Sequence, residues 1–281
     1  MGGGPRCPRP APPGALRWVD AIPAAGEDLR GSPANRKESA IPARPTVVLV
    51  HGAFADASGW SGVDAELAGD EVDVLAPANP LRGIASDATS VSSILDQIDG
   101  PVVLVGHSYG GAVITTAGLH DRVLALVYVA GYAPDEGETL AQLQGRFPDS
   151  PLAENLRFTP FTDGDGTSGT DVSVDPTAFP QIFAADVPLE TTGFLARSQR
   201  PLSAAVFDEP SGPPAWKTKP SWGIVPGADR TINPDVHRFG YERAQMTISE
   251  IDGASHAAFI SHPAEVAAVI RDAVTATLTP A

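Results

Sequence analysis

Gly106-His107-Ser108-Tyr109-Gly110 sets a serine between two glycines at the spacing G-x-S-x-G. The run before it, Val102–Val105, is apolar and mostly β-branched, and a helical pattern opens near Tyr109 and continues through Val113–Leu119. That context predicts a strand-to-helix turn with Ser108 at its tip. A serine held there becomes a covalent nucleophile once a neighbouring base takes its proton. Gly106 and Gly110 let so sharp a turn pass close to its neighbours. The first-turn N–H groups of the following helix would face developing negative charge.

The partners fall in the order such chemistry needs. Gly253-Ala254-Ser255-His256 follows the strand-like run Thr247–Ile251, which makes His256 the candidate general base. Pro226-Gly227-Ala228-Asp229 follows the strand-like run Ser221–Val225. Asp229 therefore sits at a strand's C-terminal end, where it could hold the His256 tautomer and stabilise its imidazolium. Asp235, Asp252 and Asp135 are the alternative acids. His51-Gly52-Ala53-Phe54 follows the apolar run Thr46–Val50 and supplies a loop for an oxyanion donor. The two donors expected are the N–H groups of Ala53, with Phe54 as the fallback, and Tyr109. His51 is expected to hydrogen-bond its own loop. No other histidine has metal-ligand spacing with a second histidine and a carboxylate.

These groups must be positioned by elements that alternate. Strand-like runs at Thr46–Val50, Val72–Leu75, Val102–Val105, Leu124–Val129, Ser221–Val225 and Thr247–Ile251 are separated by helical patterns. The helical patterns lie at Gly59–Ala68, Ile84–Ile98, Pro234–Arg243 and Pro263–Thr277. Such alternation implies an α/β fold, a mostly parallel sheet flanked by helices. The alternation stops at residues 134–215, which are rich in Pro, Gly and Asp and hold seven of the ten Phe. We read 134–215 as an inserted cap with short helical patches, and 45–133 with 216–281 as the core. Phe54 and Phe183 are expected to face a substrate pocket. Asp163–Asp171 resembles a calcium loop but lacks the terminal Glu, and is read as a flexible cap loop.

Residues 1–44 are rich in Gly, Pro, Ala and Arg without periodicity, and are expected to form a disordered or loosely packed extension. They carry the single cysteine, Cys7, so no intrachain disulfide can form. The chain's formal net charge is -15, and residues 45–281 hold 12 Lys/Arg against 30 Asp/Glu. A surface that acidic repels nucleic acid and anionic membranes. No apolar run is long enough to span a membrane and the N-terminus is a poor secretory signal, so a cytoplasmic location is expected.

The segments 49–60 (LVHGAFADASGW), 105–113 (VGHSYGGAV), 227–234 (GADRTINP) and 255–266 (SHAAFISHPAEV) together resemble the α/β-hydrolase superfamily. More narrowly, they resemble the branch of plant methylesterases, hydroxynitrile lyases and bacterial hydrolases. The resemblance covers about residues 45–270. It implies a Ser108–His256–Asp229 triad, an oxyanion hole at Ala53 and Tyr109, and no cofactor. Lyases of this branch carry Lys after the catalytic His and Thr after the first-loop His. Ala257 and Gly52 stand at those positions here, which favours hydrolysis. The absence of clear leading strands before Thr46 predicts a sheet shorter than the superfamily's eight strands. The expected activity is hydrolysis of a small apolar or aromatic carboxylic ester. Lactone, thioester or C–C bond hydrolysis and acyl transfer would use the same triad, and a hydrolase-like ligand receptor is the reading from another class.

Overall fold

A computed structural model describes residues 44–278, apart from 163 and 165. The extension expected over residues 1–44, Cys7 included, lies outside the described residues, Arg44 excepted. Four strands open the fold: β1 (Thr46–Val50), β2 (Asp73–Leu75), β3 (Val102–His107) and β4 (Val123–Val129). Helices α1 (Ser61–Leu67), α2 (Ile84–Leu95) and α3 (Tyr109–Ala117) connect them in turn. Every residue of β1 and β3 is buried. Val, Ile and Leu on both faces of a strand suit a parallel sheet covered by helices on each side.

The segment after β4 is built differently. Helix α4 (Leu140–Gln144) starts from a capping box in which Thr139 and Gln142 bond each other's backbone N–H. Strands β5 (Leu156–Thr162) and β6 (Ser168–Val174) then form an antiparallel hairpin, running from Leu156↔Val174 to Thr162↔Ser168. Helices α5 (Phe179–Phe183) and α6 (Leu189–Leu195) follow, and β7 (Leu202–Ser203) pairs with β6. The expected short helical patches are present as α4, α5 and α6; the three-stranded sheet is an addition to them, and Ser168–Asp171 belongs to β6 rather than to a loop. The strand signal was masked because β5 carries Pro160 and is largely exposed. Proline is tolerated there because β5 is an edge strand.

The alternating pattern resumes with β8 (Ser221–Pro226), α7 (Pro234–Arg243), β9 (Thr247–Ile251), α8 (Ala258–Ser261) and α9 (Pro263–Leu278). The main sheet has the order β2-β1-β3-β4-β8-β9 and all its pairs are parallel. Among the described residues this sheet has six strands; the expected lack of leading strands before Thr46 concerns a stretch that lies, but for Arg44 and Pro45, outside the described residues. The chain steps from β1 outward to β2 and then back across β1 to β3. Strand order therefore reverses between β1 and β3, the place where ligands bind in open α/β sheets. Register puts Val50 opposite Gly106, Gly106 opposite Tyr128, and Pro226 opposite Ile251. The loops after β1, β3, β8 and β9 thus leave the sheet along one edge. The described residues all fall in one compact unit. No helix among them is long and apolar enough to cross a membrane.

Candidate active site

Ser108 stands between β3 and α3 with φ 55° and ψ -121°, in left-handed backbone that a serine enters only under strain. The turn is held by Ser108 N–H on the Val129 carbonyl at 3.1 Å and by Tyr132 N–H on the Ser108 carbonyl at 3.1 Å. Close approach explains its glycines. A Cβ on Gly106 would lie 2.5 Å from the Gly110 carbonyl oxygen, and one on Gly110 would lie 2.5 Å from that of Val50. A Cβ on Gly52 would lie 2.6 Å from that of Ser108, so the first loop can press against the serine only with glycine there.

His256 Nδ1 donates to Asp229 Oδ2 at 2.6 Å, and both side chains are fully buried. A proton on Nδ1 leaves the lone pair of Nε2 free, and that atom is buried without a hydrogen-bond partner among the described residues. Among the described residues no Ser108–His256 hydrogen bond is formed; catalytic hydrogen bonds commonly tighten only in the substrate complex. The other carboxylate oxygen of Asp229 accepts N–H groups from Thr231 at 2.7 Å and Ile232 at 3.0 Å. Burial alone would raise this carboxyl's pKa. Electrostatic attraction to His256 and hydrogen bonds from His237 and His256 outweigh it and hold the group well below the usual carboxylate range. Of the four candidate acids only Asp229 meets His256. Asp235 pairs with Arg238, Asp135 with Lys217, and Asp252 is exposed.

His237 was not singled out from the sequence, yet its Nε2 lies 3.1 Å from Asp229 Oδ2 and its ring is fully buried. The available signal was its place on the buried face of α7, beside Val236, Gly240 and Tyr241. Among the described residues one group could offer a metal three ligand atoms, Asp229, His237 and His256, within 4.8 Å of one another. Those atoms are already spent on hydrogen bonds between carboxylate and imidazoles. His51 is structural, as expected: its Nε2 accepts the Asn79 N–H at 2.9 Å and its Nδ1 reaches the Gly52 carbonyl at 2.9 Å. His107 packs against Phe259 and His256 and bonds the His256 carbonyl through Nε2 at 3.0 Å. Burial, with His256 beside it, keeps His107 well below the ordinary histidine pKa.

Both expected oxyanion donors are free. Among the described residues neither the Ala53 nor the Tyr109 N–H has an acceptor, whereas Phe54 N–H is taken by the Arg200 carbonyl at 3.0 Å. Asp87, also unnoticed in the sequence, anchors the Tyr109 side chain by accepting its hydroxyl at 2.8 Å. Ser108 opens into a cavity lined by Ala53, Phe54, Tyr109, Tyr132 and Ile232, and roofed by Leu140, Gln144, Leu152, Leu202 and Phe207. Phe183 does not line it; the ring packs edge-on against His256 at 5.1 Å. The cavity has about 20 Å³ of room, roughly one water molecule and far below the several hundred Å³ of a small-molecule site. A larger cavity of about 450 Å³ lies elsewhere, lined by Thr159, Asp171, Arg197 and Gln199 among others, and contains none of these groups.

The sequence model of the alpha/beta hydrolase family matches residues 47–269. Among curated proteins, none matches this chain significantly in sequence. Among solved structures, polyneuridine aldehyde esterase is similar with a TM-score of 0.71 at 18% identity, covering 82% of this chain and 98% of that one. A methylesterase from Arabidopsis gives 0.66 at 20% identity, over 82% and 98%. A pyrethroid hydrolase from Sphingobium faniae JZ-2 gives 0.66 at 21%, over 83% and 98%. At such identities the likeness is one of fold.

Proposed function

The chain belongs to the alpha/beta hydrolase family, and from that premise we propose that it is a serine-dependent carboxylic ester hydrolase acting on a small apolar or aromatic ester. Ser108 Oγ attacks the ester carbonyl while His256 Nε2 takes its proton. The tetrahedral oxyanion is held by the N–H groups of Ala53 and Tyr109, and backbone donors fixed in place need no reorganisation as the charge develops. His256 then protonates the leaving alcohol. Water, deprotonated by the same nitrogen, releases the acid from Ser108. Asp229 holds the imidazole and stabilises its charged form, and no cofactor is required.

The observation that carries this reading is the 2.6 Å bond from His256 Nδ1 to Asp229, which leaves Nε2 as a buried, unpartnered acceptor. The cavity's apolar roof supports an apolar acyl or alcohol group. It also gives residues 134–215 the role of a cap that must shift to admit a substrate, since the present space is about one water molecule. Incubation with a fluorophosphonate followed by mass spectrometry is expected to show one adduct, on Ser108. The Ser108→Ala variant is expected to take up none and to lose on the order of 10⁶ in kcat on p-nitrophenyl esters. A variant that keeps most of its esterase activity would sink the reading.

A further inference from the structure

Helix α5 ends against both loops that carry the proposed acid and base. Carbonyls in a helix's last turn have no partner within the helix. In α5 they are taken up by the core: the Thr231 hydroxyl donates to the Ile182 carbonyl at 3.0 Å, and Ala257 N–H donates to the Phe183 carbonyl at 3.0 Å. Thr231 stands two residues after Asp229, and Ala257 directly follows His256.

Just past α5, Asp186 grips the other flank of the histidine. Its carboxylate accepts the Ser255 N–H at 3.0 Å, the Ser255 hydroxyl, and the Ser261 hydroxyl at 2.8 Å. His262 Nε2 lies 3.4 Å from the same group. Burial by itself would raise the Asp186 carboxyl, but the hydrogen bonds from Ser255 and Ser261 outweigh it and hold it below its ordinary value. The residues before and after His256 are therefore both tied, through their backbone N–H groups, to the segment between β4 and β8. Asp186 does not line the cavity at Ser108.

We propose that Asp186 is a positioning residue for His256: with the C-terminal carbonyls of α5 it fixes the backbone on both sides of the imidazole and so sets where Nε2 stands relative to Ser108. This rests on the triad reading above. Such a clamp matters because a displacement of about 1 Å at a reacting group can cost on the order of 10² in rate. It also divides the cap. The α5 end and Asp186 stay with the core, and admission of substrate falls to α4 and the roof residues Leu152, Leu202 and Phe207.

The test is steady-state kinetics on a p-nitrophenyl ester, with the rate of Ser108 modification by a fluorophosphonate measured beside it. Asp186→Ala is expected to lower kcat about ten- to a hundredfold, leave KM within about twofold, and slow Ser108 modification by a similar factor. Asp186→Asn can still accept the Ser255 N–H and donate to the Ser255 hydroxyl, and is expected to keep at least about a third of kcat. If Asp186→Ala fails to fold, Ser255→Ala is read instead, with a severalfold loss in kcat at unchanged KM. Unaltered kcat in Asp186→Ala, or in Ser255→Ala where that variant stands in, overturns the proposal, as does an Asn variant as damaged as the Ala one. Absence of any Ser108 adduct in the unaltered protein overturns the triad reading and this proposal with it. An adduct together with an indifferent Asp186 overturns this proposal alone.

Discussion

The edge of the parallel sheet and the segment between β4 and β8 meet at Ser108 but are made on different terms. At the sheet edge each group sits a few residues past a strand of the parallel sheet: Ala53 after β1, Ser108 after β3, Asp229 after β8 and His256 after β9. Their positions follow from the register and order of the strands. The segment from 134 to 215 contributes none of the groups proposed to react. It supplies the cavity roof, and through α5 and Asp186 it holds the loops that carry Asp229 and His256. On the proposed function, the contrast teaches that the reacting groups follow the topology of the parallel sheet, while the roof and the clamp come from a segment built around its own antiparallel sheet.

Substitutions can break that division of roles. At the sheet edge, Asp229→Asn keeps the shape but loses the charge that fixes the His256 tautomer, and kcat should fall on the order of 10⁴. Burst and steady-state kinetics would check it, and a loss under tenfold would mean that His256 is held by something else. In the roof, Leu152→Ala removes a buried side chain and should cost about 2–5 kcal/mol in stability. It should also raise kcat/KM for hexanoate over acetate esters about tenfold. Unchanged chain-length preference, measured across p-nitrophenyl esters, would remove Leu152 from the substrate's path.

A smaller effect concerns pH. Burial lowers the pKa values of His51 and, further, His107, so both are neutral in the fold. On unfolding they bind protons once pH is below about 6.5. The unfolded chain then holds more protons, so stability is complete above that pH and is lost as pH falls from there toward the depressed folded values. Asp229 adds a second loss further down: its contribution is present above the unfolded carboxylate value near about 4 and fades as pH falls below it. Thermal melts between pH 7 and 5 should show a falling Tm, and His107→Gln should flatten that slope. Equal slopes in the two proteins would show that His107 does not take part.

What could be read without coordinates follows the same line between the two regions. Ser108, His256 and Asp229 could be picked out because each lies within a few residues of the end of a strand-like run. In the structure the choice among four acids comes down to the one that touches His256. His237 and Asp87 were not legible, because each reaches the site from a helix face where a buried polar residue looks like any other helical position. Phe183 was expected in a pocket on the ground of composition, and its ring backs His256 instead.

By itself, then, the sequence determined the alternating architecture, the sheet edge at which the four loops gather, and the tight strand-to-helix turn at Ser108 between its glycines. Those are local consequences of apolar runs and steric exclusion, which need only neighbouring residues to be visible. The antiparallel hairpin around Pro160, the closed roof over Ser108 and the grip of Asp186 on Ser255 were decided by tertiary structure alone. The roof and the Asp186 grip join residues far apart in the chain, and the hairpin hides its strand pattern behind Pro160 and exposed positions; only the packed fold says which partners a hydrogen bond or an apolar side chain will find.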